Sequence, residues 1–135
     1  MDELRGIWRG KRIDEKIWVD GYLICPEVNG KFAYIGYLFA TDDHGVNIAP
    51  VDPSTLGECT GLRDKNGKPI FEGDILKVER NAVVKYNEIK AAFVVEAYDG
   101  EEEYLGNAFD EEIEVIGNIH DNPELLKGGT MKWKV

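Results

Sequence analysis

The stretch Leu62-Arg63-Asp64-Lys65-Asn66-Gly67-Lys68-Pro69-Ile70-Phe71-Glu72-Gly73-Asp74-Ile75-Leu76-Lys77-Val78 decides the fold. Asn66-Gly67 supplies the positive φ angles of a tight reversal between two extended arms. A few residues on, Gly73 permits a bend, Asp74 can accept from backbone N–H groups beside it, and Ile75, Leu76 and Val78 begin a strand. Two reversals so close together leave room for short strands and none for a long helix. Upstream, residues 4–12 alternate apolar and basic types and residues 17–25 are rich in β-branched and aromatic ones, which predicts two strands. A turn at 27–30 leads to residues 31–40, apolar on both faces. That run fits a central strand or a buried helix, and Gly36 with three aromatics favours the strand. After a polar break at 42–45, residues 46–51 read as extended. Asp52-Pro53 then caps and starts one helical turn before Gly57.

Downstream, residues 82–86 and 91–98 form a pair around Asn87-Glu88, and residues 112–119 make a further strand. A short helix follows, with Asn122 as its cap, Pro123 first, Glu124 favourable to the dipole and Gly128 stopping it. Short strands at near-regular spacing predict a mainly β protein (α+β with short helices), built as a small twisted or partly closed β-barrel plus a strand-rich N-terminal portion. The expected organisation is a single domain over residues 1–135, with the strand-rich portion at 1–56, a compact β portion at 57–127 and a tail at 128–135.

The chain has 135 residues, 43% of them hydrophobic and 31% charged, enough apolar material at this length to hide roughly 65–70% of the unfolded surface. No apolar run approaches the roughly 18 residues of a membrane span, and Met1-Asp2-Glu3-Leu4-Arg5 lacks the start of a secretory signal, so a soluble cytoplasmic protein is expected. The net charge of −10 is unevenly placed. Residues 96–124 hold eleven acids and no Lys or Arg, which leaves fifteen acids against all sixteen bases elsewhere, a net of +1. The body is electrically ordinary and carries one acidic segment, which reads as a solvated loop and strand edge or as a surface for a basic partner.

Cys25 and Cys59 are the only cysteines and His44 and His120 the only histidines. They suit a reducing compartment and give no zinc spacing, and a Cys–His dyad would be a coincidence of distant residues. Asp99-Gly100-Glu101-Glu102-Glu103 lacks the alternating ligands of a calcium loop. Asp64, Glu72 and Asp74 lie close enough in sequence to assemble an acid pair or a metal site, yet carboxylates at tight turns usually hold backbone N–H groups. We therefore assign no catalytic, cofactor-binding or metal residues, expect no cofactor, and read the chain as non-enzymatic. Arg5, Arg9, Lys11 and Arg12 with Trp8 form a basic block that would suit a nucleic-acid patch if Trp8 were a stacking platform rather than core.

Three blocks, taken together, resemble the YopX family, found mainly in bacteriophages and prophages. They are Arg5-Gly6-Ile7-Trp8-Arg9-Gly10-Lys11-Arg12 with Trp18-Val19-Asp20-Gly21-Tyr22-Leu23 after it; residues 51–75, from Val51-Asp52-Pro53 through the turn stretch to Ile75; and Glu114-Val115-Ile116-Gly117-Asn118-Ile119-His120-Asp121-Asn122-Pro123-Glu124-Leu125-Leu126. Cys59 stands where a bulkier residue is usual and Pro69 where a polar one is. The resemblance implies a β-rich phage or prophage protein of the bacterial cytoplasm and no particular chemistry. The expected function is that of a phage accessory protein, a non-catalytic module binding a protein partner, from the host or itself. A nucleic-acid-binding small β-barrel is the alternative, disfavoured by charge, and no membrane partner is expected. Exposed edges of short strands suit self-association.

Overall fold

The structure is a computed structural model that describes residues 4, 6–28, 32–38, 46–77 and 80–131. Contacts divide the chain into two compact units at Cys59/Thr60. The expected turn at 27–30 in part, the polar break with His44, and Val78 lie outside the described residues.

The first unit is an antiparallel meander. β1 (Trp8–Lys11), β2 (Trp18–Val28), β3 (Phe32–Leu38) and β4 (Val46–Val51) pair in succession, and the start of β5 (Gly57–Arg63) pairs with the other edge of β1. Period-two alternation sends Ala33, Ile35 and Val51 to a core from which water is excluded, with Trp8, Val19, Leu23 and Leu56 packed against it. Gly10 is needed there for space, since a Cβ would sit 2.8 Å from Val51 Cγ2. The strand expected from residue 4 starts only at Trp8, because Ile7 N–H closes a turn onto Leu4 O at 3.2 Å. The predicted helical turn is present as a 3-10 turn at Pro53–Thr55, with Asp52 Oδ1 accepting from Ser54 N–H at 3.0 Å. Thr55 Oγ1 locks it to β1 by donating to Asp52 O at 2.6 Å and accepting from Lys11 N–H at 2.9 Å.

The second unit takes up the end of β5 and adds β6 (Pro69–Phe71), β7 (Asp74–Lys77), β8 (Asn81–Asn87), β9 (Ala92–Ala97), β10 (Glu102–Tyr104), α1 (Leu105–Ala108), β11 (Glu114–Asn118) and α2 (Pro123–Met131). Its five-stranded antiparallel sheet runs β10-β9-β8-β7-β11. One face buries Leu76, Ala82, Val84, Val95 and Val115 together with Ile70, Leu105 and Ile113.

The deciding stretch folds as two reversals with one difference in geometry. Gly67 has φ +83° but Asn66 is not in the left-handed region. Gly67 N–H bonds Asp64 O at 2.9 Å and Asp64 N–H bonds Lys68 O at 2.8 Å. This is the three-residue hairpin in which one left-handed glycine follows an ordinary turn, not the two-residue primed turn. The Asp64 side chain selects it by accepting from Asn66 N–H and Lys68 N–H, both at 2.9 Å. At the second reversal Gly73 has φ +97°, its N–H reaches Val84 O and its carbonyl takes Ile119 N–H, both at 2.8 Å. Asp74 Oδ2 accepts from Phe71 N–H at 2.8 Å.

The mainly β class is as expected, but the sheets do not close into a barrel. β10 and β11 are the two edges of the five-stranded sheet. Among the described residues of the first unit, the ends of β1 and β4 meet through the single bridge Arg12↔Val51, flanked by Ile13 N–H to Pro50 O and Asp52 N–H to Lys11 O. A bridge of this length ties the ends without building a ladder. The final helix also differs: it runs through Gly128 to Met131, since a glycine lowers helix stability by about 1 kcal/mol without forbidding the conformation. Asn122 Oδ1 turns back to accept from Asn118 N–H at 3.2 Å, and it is the Asn122 carbonyl that takes the N–H of Leu125. β10 and α1, inside the acidic segment, were not foreseen in a run dominated by charge.

Candidate functional site

Of the three carboxylates that sequence spacing offers for acid–base or metal chemistry, Asp64 and Asp74 are occupied by backbone. Asp64 is 7% exposed. Besides the two turn N–H groups on Oδ1, its Oδ2 accepts from Val115 N–H at 3.0 Å, across 51 residues of sequence. Burial pushes this carboxyl up, but the N–H groups of Val115, Lys68 and Asn66 outweigh it and hold the group below the ordinary 3.8. Asp74, 1% exposed, is turned to Phe71 N–H, and Glu72 is half-buried beside it. Cys59 is buried and His120 exposed; the Cys25 side chain and His44 lie outside the described residues. Among the described residues no three His, Cys, Asp or Glu side chains gather as metal ligands.

The basic block is divided by strand alternation. Trp8 faces the core and is no stacking platform. On the opposite face of the meander Arg9 Cζ lies 4.9 Å and Lys11 Nζ 6.0 Å from the ring centre of Trp18, a residue whose only signal in the sequence is that of a strand. Arg12 is engaged with Asp14 at 2.7 Å, and that guanidinium bond brings the Asp14 carboxyl down to about 2. Arg5 lies outside the described residues. Farther along this outer face, register aligns Tyr22 with Gly36 and Gly36 with Ile48. Tyr22 is 59%, Ile24 50% and Ile48 52% exposed, so the sheet leaves an uncharged apolar strip in water. The period-two pattern of β2 held that signal, since inward Val19 and Leu23 require outward Tyr22 and Ile24.

The acidic segment is partly neutralised by the rest of the second unit. Arg80 reaches Asp99 and Glu101, both at 2.8 Å; Lys90 reaches Glu102 at 2.7 Å, Lys65 reaches Glu114 at 3.5 Å, and Lys85 bonds Glu96. The Arg80 bond, with Glu101 N–H, brings Asp99 down to about 2; Lys90 lowers Glu102 and is itself raised by it. Among the described residues, Glu96, Asp99, Glu101, Glu102 and Glu114 are therefore answered by bases that lie outside the segment in sequence. Exposed Glu103, Asp110 and Glu112 instead stand around a cleft of about 570 Å³ whose floor is Val95, Ala108 and Ile113, with Asn107 and Lys77 on its rim. A smaller concavity of about 270 Å³ shares Val95 and Glu103 with it and extends toward Ala82 and Ala97.

This is an open, two-unit antiparallel β protein whose turn carboxylates serve the backbone and whose distinctive features are surfaces. The chain belongs to the YopX family: the family model, described as YopX protein, matches residues 7–127. Among solved structures it is similar to the crystal structure of protein EF1440 from Enterococcus faecalis, with 25% sequence identity, a TM-score of 0.53, and coverage of 88% of this chain and 96% of that one. No curated protein matches it at a significant level. No helix among the described residues is long and apolar enough to cross a membrane.

Proposed function

We propose that the protein is a non-catalytic accessory protein of a bacteriophage or prophage that acts in the bacterial cytoplasm by binding a protein partner, from the host or a second copy of itself. The observation that carries this reading is the outer strip of the first unit. Tyr22 and Ile24 on β2 and Ile48 on β4 are each about half exposed, and between Tyr22 and Ile48 the intervening β3 presents only Gly36. Covering the remainder of three such side chains is worth roughly 1 kcal/mol apiece, and a contiguous apolar surface of this kind marks interaction sites in soluble proteins. The use of Asp64 and Asp74 as backbone acceptors supports a binding role over acid–base chemistry. Affinity capture from infected or lysogenic cells, with mass-spectrometric identification, tests it against an Ile24→Lys/Ile48→Lys variant checked for folding. A specific partner held by the native protein and lost by the variant is expected. Capture of nothing specific, or of the same partner by both, refutes it.

Arg9 and Lys11 at Trp18 favour a second reading, single-stranded nucleic acid stacked on Trp18 and neutralised by the two cations. The net charge of −10 opposes it. A gel shift at low salt with single- and double-stranded probes decides the matter, since a protein that retards neither there binds neither in the cell.

A further inference from the structure

The cleft of the second unit combines two properties that a solvated acidic loop need not have. Its floor, Val95, Ala108 and Ile113, is apolar and continuous with the core, and its volume of about 570 Å³ admits side chains. Its exposed acids are Glu103 and Glu112 with Asp110 between them in sequence; Glu103 also borders the smaller concavity lined by Arg80, Glu101 and Glu102. Arg80, Lys85, Lys90 and Lys65 all pair elsewhere, and the cation on the rim is Lys77. The complement of such a surface is a chain that offers ammonium groups to the rim and aliphatic carbon to the floor.

We infer that this cleft binds a lysine-bearing peptide segment of a partner protein, with a short aliphatic side chain over Ala108 and lysines at Glu103 and Glu112. Both halves of the match matter. The floor adds a small apolar contribution, chiefly at Ala108, because Val95 and Ile113 are only 5% and 1% exposed. The rim steers a cationic chain and repels an acidic one. The inference stands apart from the apolar strip of the first unit, because none of its residues is shared.

The test uses the full chain, isotopically labelled, and two synthetic peptides: one alternating lysine with valine, and a counterpart with glutamine in place of lysine. Saturable amide shifts centred on Val95, Ala108 and Ile113 are expected with the lysine peptide. Its affinity should fall as ionic strength rises from about 0.01 M to about 0.15 M, where the Debye length shortens from ~30 to ~8 Å. In a Glu103→Gln/Glu112→Gln variant with an otherwise native spectrum, binding should weaken by about tenfold. Equal binding of the glutamine peptide would leave a groove without the charge preference and overturn the inference. Shifts that do not saturate, that lie elsewhere, or that survive unchanged in the variant would overturn it as well.

Discussion

Removing the Asp64 carboxylate is the sharpest test of how the second unit is held together. Its two oxygens receive three backbone N–H groups at 2.9, 2.9 and 3.0 Å, from Asn66, Lys68 and Val115. In Asp64→Ala the two turn amides can turn to water, at about 0.5–1 kcal/mol each. The amide of Val115, a residue 9% exposed, is left without its acceptor at about 2–3 kcal/mol. The expected loss is about 3–5 kcal/mol, a large share of the 5–15 kcal/mol typical of a folded domain. Asp64→Asn keeps one oxygen for the turn but sets an amide donor against Val115 N–H, so about 2–3 kcal/mol should still be lost. The pH dependence has a definite sign. The folded carboxyl is held below 3.8, so its stabilisation is complete above the ordinary aspartate range and fades as pH falls below it. Urea unfolding followed by circular dichroism at about pH 7 and about pH 3, with hydrogen exchange at Val115, measures all three effects. A loss under about 1 kcal/mol in Asp64→Ala, or unchanged protection at Val115, would refute the reasoning.

Three further outcomes are expected. Gly10→Ala places a methyl 2.8 Å from Val51 Cγ2 and should cost about 1–3 kcal/mol; adding Val51→Ala should recover part of the clash term, read as a coupling energy in a double-mutant cycle of urea midpoints. Gly73→Ala forces a side chain into φ +97° and should cost about 1–2 kcal/mol by the same assay. Arg80→Met should let the Asp99 carboxyl rise from about 2 toward the ordinary 3.8, followed by carbon-detected titration, while the urea midpoint scarcely moves because the ion pair is exposed.

What was legible in the sequence was local. The helical turn at Pro53–Thr55, the hairpin at Gly67, the bend at Gly73 and the extended run Val46–Val51 follow from residues whose preferences act within four positions of themselves. The misreadings share a cause. Asn66-Gly67 suggested a primed turn, but the competing acceptor two residues earlier, Asp64, set the geometry. Gly128 suggested a helix end, yet a stop requires the left-handed conformation and not glycine alone. Trp8 and Trp18 are indistinguishable by composition, and only the register Lys11↔Trp18 and Trp8↔Gly21 sends one to the core and the other beneath two cations. Whether sheets close is a property of edges that no single strand encodes. Of the surfaces offered as sites, the cleft was visible only as an acidic segment, since its floor comes from β9, from the end of α1 and from the residue before β11.

The charge pattern shows why such a segment cannot be read as a surface. Eleven acids within 29 consecutive residues look like a uniform negative patch, but antiparallel pairing brings a strand's neighbours from elsewhere in the chain. β8 carries Lys85 to Glu96, and the residues flanking β8 carry Arg80 and Lys90 to Asp99, Glu101 and Glu102. Pairing therefore removes charge selectively, where a base from a neighbouring strand or its flanking turn lies opposite, and leaves it where β10 sets its acid across from uncharged Val95 and in the turn before β11. That is where Glu103, Asp110 and Glu112 ring the cleft. A partner attracted by net charge alone would respond to substitution of any of the eleven acids, whereas one seated in the cleft should respond to Glu103 and Glu112 and be indifferent to Glu96 and Glu114. Glutamine replacements at each of those four positions, read against the same lysine peptide, distinguish a field from a site. An equal loss at all four would reduce the acidic segment to long-range steering.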